Sequence, residues 1–162
     1  MWMLRSILAV LAALSVGGSA VAFAATIGGT EGADFLVGSP GRDRIDGFGG
    51  NDTIFGLGGG DTIRAGAGDD AVEADGECPA GAAAPAYCLN VGPHPGADSV
   101  YGGAGADRLS GGSGGDRLSG GPGADELDGG IGNDRLRGAE GNDAIDDIAR
   151  NCERVSRRHG KR

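Results

Sequence analysis

Residues 102–137 read GGAGADRLS-GGSGGDRLS-GGPGADELD-GGIGNDRLR, four nonapeptides in an unbroken row. Each nonapeptide has Gly at positions 1, 2 and 4, Asp at position 6 and Leu at position 8. A repeat of fixed length is the sequence signature of a solenoid, in which each unit packs against the next one. The stretch therefore predicts a repetitive architecture and not a globular core built from large side chains.

The same period extends through most of the chain. Eleven copies occur, five over residues 29–73 and six over residues 93–146. Position 4 is Gly and position 8 is aliphatic in all eleven copies. Position 6 is Asp in every copy, at Asp34, Asp43, Asp52, Asp61, Asp70, Asp98, Asp107, Asp116, Asp125, Asp134 and Asp143.

The alternation within each copy predicts a short strand. Positions 7 and 9 vary while position 8 is aliphatic, so one side chain of three points inward. Gly at the preceding positions permits the positive φ of a tight turn. Two copies then form one coil of 18 residues, and coils stack about 4.8 Å apart. Stacking predicts Asp ladders, 34–52–70 with 43–61 in the first block and 98–116–134 with 107–125–143 in the second.

The predicted ladders call for cations. Two carboxylates about 5 Å apart repel by about 1 kcal/mol in water and about 3 kcal/mol at an effective dielectric of 20. Carboxylate and turn carbonyl oxygens together suit Ca²⁺ better than Mg²⁺ or Zn²⁺. Residues 26–149 hold 22 acids and 7 bases, a net charge of −15 that about seven Ca²⁺ ions would offset. The block-end rungs Asp34, Asp70, Asp98 and Asp143 have one neighbour each, which leaves their metal binding open.

The pattern resembles the hemolysin-type calcium-binding repeat, the RTX nonapeptide G-G-x-G-x-D-x-U-x. The resemblance covers 99 residues. It implies an all-β fold, a parallel β-roll solenoid with six-residue turns that hold Ca²⁺ and three-residue strands. Position 2 departs from the family pattern in six copies, where we expect weaker metal binding. Those departures are Thr30, Ser39, Phe48, Leu57, His94 and Ala139.

The remaining segments define the predicted domain organisation. Residues 1–24 read as a signal peptide, with a basic start, a ten-residue apolar run and small residues before a cleavage site after Ala24. Residues 25–73 form the first β-roll block and residues 93–146 the second. A Cys-bearing insert over residues 74–92 lies between the two blocks, and a basic cap or tail occupies residues 147–162. The signal predicts a secreted protein.

The insert and the tail carry three cysteines. Because an exported protein favours disulfides, Cys78 and Cys88 are predicted to pair, which leaves Cys152 over. Whether the insert bulges from one continuous roll or separates two rolls stays open. In the tail, Ile148, Cys152 and Val155 have roughly helical spacing and are expected to cover the open end of the last coil.

Composition argues against several function classes. The acid excess gives a net charge of −9 and disfavours nucleic acid and anionic membranes as partners. The one lysine is Lys161, so a phosphate-binding G-K-[ST] loop is absent, and His94 and His159 suggest no catalytic triad. We therefore expect a calcium-binding protein that folds on Ca²⁺ and is structural, not an enzyme. The alternative is an adhesin-like protein that displays the insert or tail to an unidentified protein or surface partner.

Six further aspartates lie off position 6. They are predicted to be surface charges and not metal ligands. These residues are Asp46, Asp69, Asp75, Asp128, Asp146 and Asp147.

Overall fold

A computed structural model describes residues 24–75, 96–146 and 154–156, and these ranges contain fifteen strands. Seven strands form the first sheet, in the spatial order β1 (Thr26–Gly28), β3 (Arg44–Gly49), β5 (Thr62–Ala67), β7 (Ser99–Ala104), β10 (Arg117–Pro122), β13 (Arg135–Glu140) and β15 (Arg154–Ser156). Six form the second sheet, in the order β14 (Ala144–Asp146), β11 (Glu126–Asp128), β8 (Arg108–Ser110), β6 (Ala71–Glu73), β4 (Thr53–Phe55) and β2 (Phe35–Val37). Two short strands, β9 (Ser113–Gly114) and β12 (Ile131–Gly132), pair with each other.

Neighbouring strands in each sheet are parallel and one coil apart. Ile45 pairs with Ile63 and Leu118 pairs with Leu136, so the register advances by 18 residues, as the period predicts. The chain alternates between the two main sheets, because β3, β4 and β5 follow one another while β3 and β5 pair. The result is an all-β parallel β-solenoid of about six turns, which confirms the predicted architecture.

The core is a single stack of aliphatic side chains between the two main sheets. The position-8 side chains from Leu36 to Leu136 are buried, and Ile145 packs partly buried against their cluster. Each half-coil contributes one Leu, Ile or Val side chain, because positions 7 and 9 face outward along the strand. The inner width of the roll is therefore set by one aliphatic side chain from each half-coil.

The two blocks are joined into one roll across the insertion. Ile63 of β5 pairs with Val100 of β7, and Val72 of β6 pairs with Leu109 of β8. Both steps span 37 residues where the others span 18, so the additional 19 residues lie outside the coil. The two blocks therefore form a single roll, which answers the question that the sequence left open.

The insertion leaves the roll inside a turn. The Ala74 N–H donates to the Ser110 carbonyl at 3.0 Å, the bond that position 1 makes in other coils. The Asp75 carboxylate accepts from the Gly96 N–H at 3.3 Å. The repeat register thus persists through Asp75 and resumes at Gly96, whereas the period alone suggested an insert that begins at residue 74.

Three further details differ from the three-residue strands expected. Strands of the first sheet that belong to full coils have six residues, because they extend through positions 1 to 3 of the following turn. Before the first copy, β1 pairs with β3 as an additional half-repeat. After the last copy, Val155 pairs opposite Leu136, so this part of the tail adds a strand where helical spacing was expected.

Several predictions lie outside the described residues. They concern the signal peptide over residues 1–24, of which the structure describes only Ala24, the pairing of Cys78 with Cys88, the state of Cys152 and the environment of His94. Among the described residues, the structure contains no helix of the length and apolarity that a membrane crossing requires.

Candidate metal centre

The position-6 aspartates form two ladders, one along each edge of the roll. Hydrogen bonds between consecutive rungs make each ladder continuous from the first block into the second. Asp70 and Asp98 are therefore interior rungs and not block ends. One ladder comprises Asp34, Asp52, Asp70, Asp107, Asp125 and Asp143. The other comprises Asp43, Asp61, Asp98, Asp116 and Asp134.

The first oxygen of each carboxylate connects successive coils. Oδ1 of Asp116 accepts the backbone N–H of Asp98 at 2.9 Å, and Oδ1 of Asp98 accepts the N–H of Asp61 at 2.6 Å. The same bond recurs along both ladders. Asp at position 6 therefore has a structural role, since it satisfies a buried backbone donor of the preceding coil.

The second oxygen of the interior rungs is buried and has no hydrogen-bond donor within the part of the chain that the structure describes. The aspartates that share this feature are Asp52, Asp61, Asp70, Asp98, Asp107, Asp116 and Asp125. A buried charged oxygen without a partner is costly, because the group has lost its water. A regular row of such oxygens indicates that something other than a protein donor satisfies them.

Backbone carbonyl oxygens of the next coil lie close to the second carboxylate oxygens of the ladder aspartates. A Cβ built on Gly102 would lie 2.2 Å from Oδ2 of Asp107 and 2.9 Å from the Gly120 carbonyl oxygen. A Cβ on Gly111 would likewise lie 2.6 Å from Oδ2 of Asp116 and 2.9 Å from the Gly129 carbonyl oxygen. Position 1 is Gly in nine of the eleven copies, and a side chain there would fill this space. Carboxylate and carbonyl oxygens of adjacent coils thus form an all-oxygen donor set, the kind that Ca²⁺ prefers.

The turns are compact because coils approach closely at position 4. Gly50 has φ of 96°, and a Cβ there would lie 2.4 Å from the Gly32 carbonyl carbon. Phe48, Leu57 and Ala139 at position 2 adopt φ of 77°, 86° and 86°. A left-handed conformation costs a residue with a side chain about 1–2 kcal/mol. These three departures from Gly therefore keep the turn geometry at a cost in stability.

Burial raises the pKa values of eight ladder carboxyls, those of Asp43, Asp52, Asp61, Asp70, Asp98, Asp107, Asp116 and Asp125. It raises the pKa of Asp61 to about 8 and that of Asp98 to about 7. The pKa of Asp107 and that of Asp116 rise to about 6. Hydrogen bonds from backbone N–H groups oppose the shift, and repulsion by adjacent rungs adds to it. Without a cation, the roll therefore disfavours the charged form of its own aspartates.

Lowering the pH should stabilise the metal-free roll. Because the ladder pKa values are raised in the folded state, folding takes up protons between about pH 4 and pH 8. Stability should then increase as the pH falls through this range, since protons neutralise the ladder in place of Ca²⁺. Circular dichroism of the metal-stripped protein should show more β-structure near pH 5 than near pH 8. A weaker β signal near pH 5 would contradict the assigned burial of these carboxyls.

The outer rungs differ from the interior ones. Asp34 and Asp143 are only half-buried, whereas Asp43 and Asp134 are buried. Asp143 accepts the Asp125 N–H at 3.2 Å, and Asp134 accepts the Asp116 N–H at 2.9 Å. All eleven predicted site residues therefore lie on the two ladders, but the two ends of the first ladder, Asp34 and Asp143, are less enclosed.

Asp75 lies closer to the site than its sequence position suggested. Its carboxylate accepts N–H groups of Gly96 and Ser113 at 3.3 and 3.1 Å, and its charge raises the pKa of Asp98. Asp75 is half-buried, whereas the sequence predicted a surface charge, and the expectation that it is not a metal ligand stays a prediction. The sequence signal for this position of Asp75 is a partial repeat before the insertion, in which Ala74 stands at position 1 and Asp75 at position 2.

Among the described residues, no three His, Cys, Asp or Glu side chains are grouped as a preformed metal site. The carboxylates instead occur as stacked pairs, with carbonyl oxygens beside them. A parallel solenoid with such continuous Asp ladders defines the class of β-rolls that bind cations between coils.

Comparison with known families agrees with this class. The RTX calcium-binding nonapeptide repeat matches in four copies, over residues 28–63, 52–76, 95–118 and 110–145. These matches cover more than half of the chain, which belongs to the RTX calcium-binding nonapeptide repeat family. A comparison with curated proteins finds no match to this chain.

Proposed function

We propose that this protein is secreted and binds several Ca²⁺ ions along its two ladders, and that this binding drives its folding into a structural module. The row of buried Oδ2 atoms carries the proposal, because each lacks a protein donor in the described residues and carbonyl oxygens of the next coil lie beside those of Asp52, Asp61, Asp107 and Asp116. Ca²⁺ accepts 6–8 oxygen ligands with flexible geometry, which suits a repeated, irregular oxygen set.

Folding and metal binding are one process in this proposal. The core consists of one aliphatic side chain per half-coil, and 36 of the 162 residues are Gly, whose ordering is entropically costly. When a site exists only in the folded state, its binding free energy contributes directly to folding. Extracellular Ca²⁺ lies in the range that weak modular sites use, about 10⁻⁴ to 10⁻³ M. The roll would then stay unfolded inside the cell and close outside it.

The proposal includes an ion count of about seven and no catalytic role. The count rests on charge, because residues 26–149 carry a net −15 and seven divalent ions bring +14. A calorimetric titration of the metal-stripped chain that begins at Ala25 tests it. We expect several Ca²⁺ ions per chain, with no comparable heat from Mg²⁺, which requires rigid octahedral sites. Equal responses to both ions, or no heat at all, would contradict calcium binding.

A second candidate function is the display of the insertion to a partner. The observation in its favour is that the insertion leaves a turn between Asp75 and Gly96 while both main sheets continue past it. An element appended in this way is free to evolve contacts without disturbing the core.

Deleting residues 76–94 should leave calcium-induced folding intact. The deletion joins Asp75 to Pro95 and restores a six-residue turn, Ala74-Asp75-Pro95-Gly96-Ala97-Asp98. We expect the calcium-induced circular dichroism change to persist, with the wild-type chain as control. If binding to cells or matrix disappears at the same time, display is the function of the insertion. Loss of calcium-induced folding would instead contradict a continuous roll.

A further inference from the structure

The first two turns of the roll are closed differently from the others. In them, position 2 is occupied by Thr30 and Ser39, whose hydroxyl groups lie inside their own turns. The Ser39 Oγ donates to Oδ1 of Asp43 at 2.8 Å, and the Thr30 Oγ1 donates to Oδ2 of Asp34 at 2.8 Å. In both turns a side chain supplies a donor to the position-6 carboxylate.

Backbone donors complete this arrangement. The N–H of Ser39 donates to Oδ2 of Asp43, and the N–H of Ala25 donates to its Oδ1 at 2.7 Å. The N–H of Thr30 also donates to Oδ2 of Asp34. Asp43 therefore has hydrogen-bond donors on both oxygens, although it is buried. This contrasts with the interior rungs, whose Oδ2 atoms lack donors in the described residues.

The backbone of these two turns differs as well. From Gly47 onward, every uninterrupted turn has positive φ at position 2, including Phe48, Leu57 and Ala139, and at position 4. Thr30 and Ser39 do not have positive φ, and neither do Gly32 and Gly41 at position 4 of the same turns. Instead, the N–H groups of Gly32 and Gly41 donate to the Thr30 and Ser39 hydroxyls at 3.2 and 3.4 Å.

We propose that Thr30 and Ser39 close the first two turns without Ca²⁺ and make the N-terminal end of the roll a metal-free cap. Ion binding then begins at the turn that contains Asp52. This inference rests on the proposed calcium function and specifies which turns use the ion. Solenoids need a terminal unit that differs from the interior repeats. A turn closed by a hydroxyl group supplies such a unit without a bound ion. A hydroxyl and an N–H satisfy the carboxylate that a cation satisfies elsewhere.

The test converts both residues to the family's glycine. In the double variant Thr30→Gly, Ser39→Gly, calorimetric titration should show a stoichiometry higher by about one to two Ca²⁺ per chain, because the freed carboxylate oxygens of Asp34 and Asp43 lie on different ladders and each can accept a divalent ion. Phe48→Gly is the matched control, since its turn already has positive φ and its Asp52 Oδ2 lacks a donor. This control should not change the stoichiometry.

A measurement on the wild-type chain guards against a variant that misfolds. In a calcium titration of the wild-type chain followed by amide NMR, the Thr30 and Ser39 resonances of the folded roll should reach their final positions before the later turns are saturated. Filling of the later turns should then change the chemical shifts of these two amides little. Gly103 and Gly121, at position 2 of interior turns, should shift with each ion. Unchanged stoichiometry in the double variant, or equal shifts in all turns, would overturn this inference alone. A wild-type chain that binds no Ca²⁺ would contradict the proposed function and this inference together.

Discussion

Replacing Asp116 by Asn should weaken calcium binding by about tenfold or more at the adjoining sites, without destabilising the metal-free roll. Asp116 is fully buried and lies between Asp98 and Asp134 on its ladder. Asn keeps an oxygen that accepts the Asp98 N–H, now bonded to Oδ1 at 2.9 Å. It removes only the negative charge, so the loss should appear in metal affinity and not in the structure.

Asp116→Ala should be more harmful than Asp116→Asn. Ala removes the acceptor as well as the charge, so the buried Asp98 N–H loses its partner at a cost of about 1–3 kcal/mol. The comparison of the two variants separates the two roles of a rung. Calcium affinity should fall in both, whereas the stability of the metal-free roll at low pH should fall only in the Ala variant.

Asp46→Asn is the matched control for net charge. Asp46 lies on a sheet face, where it forms an ion pair with Arg44 at 3.1 Å, away from both ladders. Exposed pairs of this kind contribute little to stability, so the calcium titration should be nearly unchanged. If Asp116→Asn binds Ca²⁺ as the wild-type chain does, or if Asp46→Asn weakens binding equally, the ladders are not the metal sites.

Much of the fold follows from periodicity alone. An 18-residue coil requires that Leu118 stack on Leu136 and that Asp116 stack on Asp134, and the structure has both pairs. Sterics and strand alternation leave a strict repeat few other ways to bury its aliphatic side chains. The ladders and their burial could therefore be predicted within each block.

Three features depended on information that a period does not contain. The link between Asp70 and Asp107 needs knowledge of where the chain resumes after the insertion, which only sheet pairing provides. The position of Asp75 depends on the same register. The contrast between Ser39 and Phe48, both non-glycine at position 2, depends on whether a side chain can hydrogen-bond within its turn. Serine can do so and phenylalanine cannot, which is a local choice that a consensus pattern conceals.

We propose that the stacked carboxylates prevent the roll from closing until a divalent cation lies between them. Burial, together with repulsion by neighbouring carboxylates, raises the pKa of Asp61 to about 8, so near neutral pH the charged form of the metal-free ladder is strongly disfavoured. Each interior turn presents a further buried oxygen without a protein donor in the described residues. Removing calcium should therefore have the largest effect of any single change, the loss of most β-structure.

Far-UV circular dichroism of the metal-stripped chain near pH 7.5, recorded before and after the addition of millimolar Ca²⁺, tests this claim most directly. We expect the spectrum of a largely disordered chain without the ion and a β-sheet spectrum with it, while the same concentration of Mg²⁺ has little effect. A full β-sheet spectrum in the chelated protein, unchanged when Ca²⁺ is added, would contradict the claim.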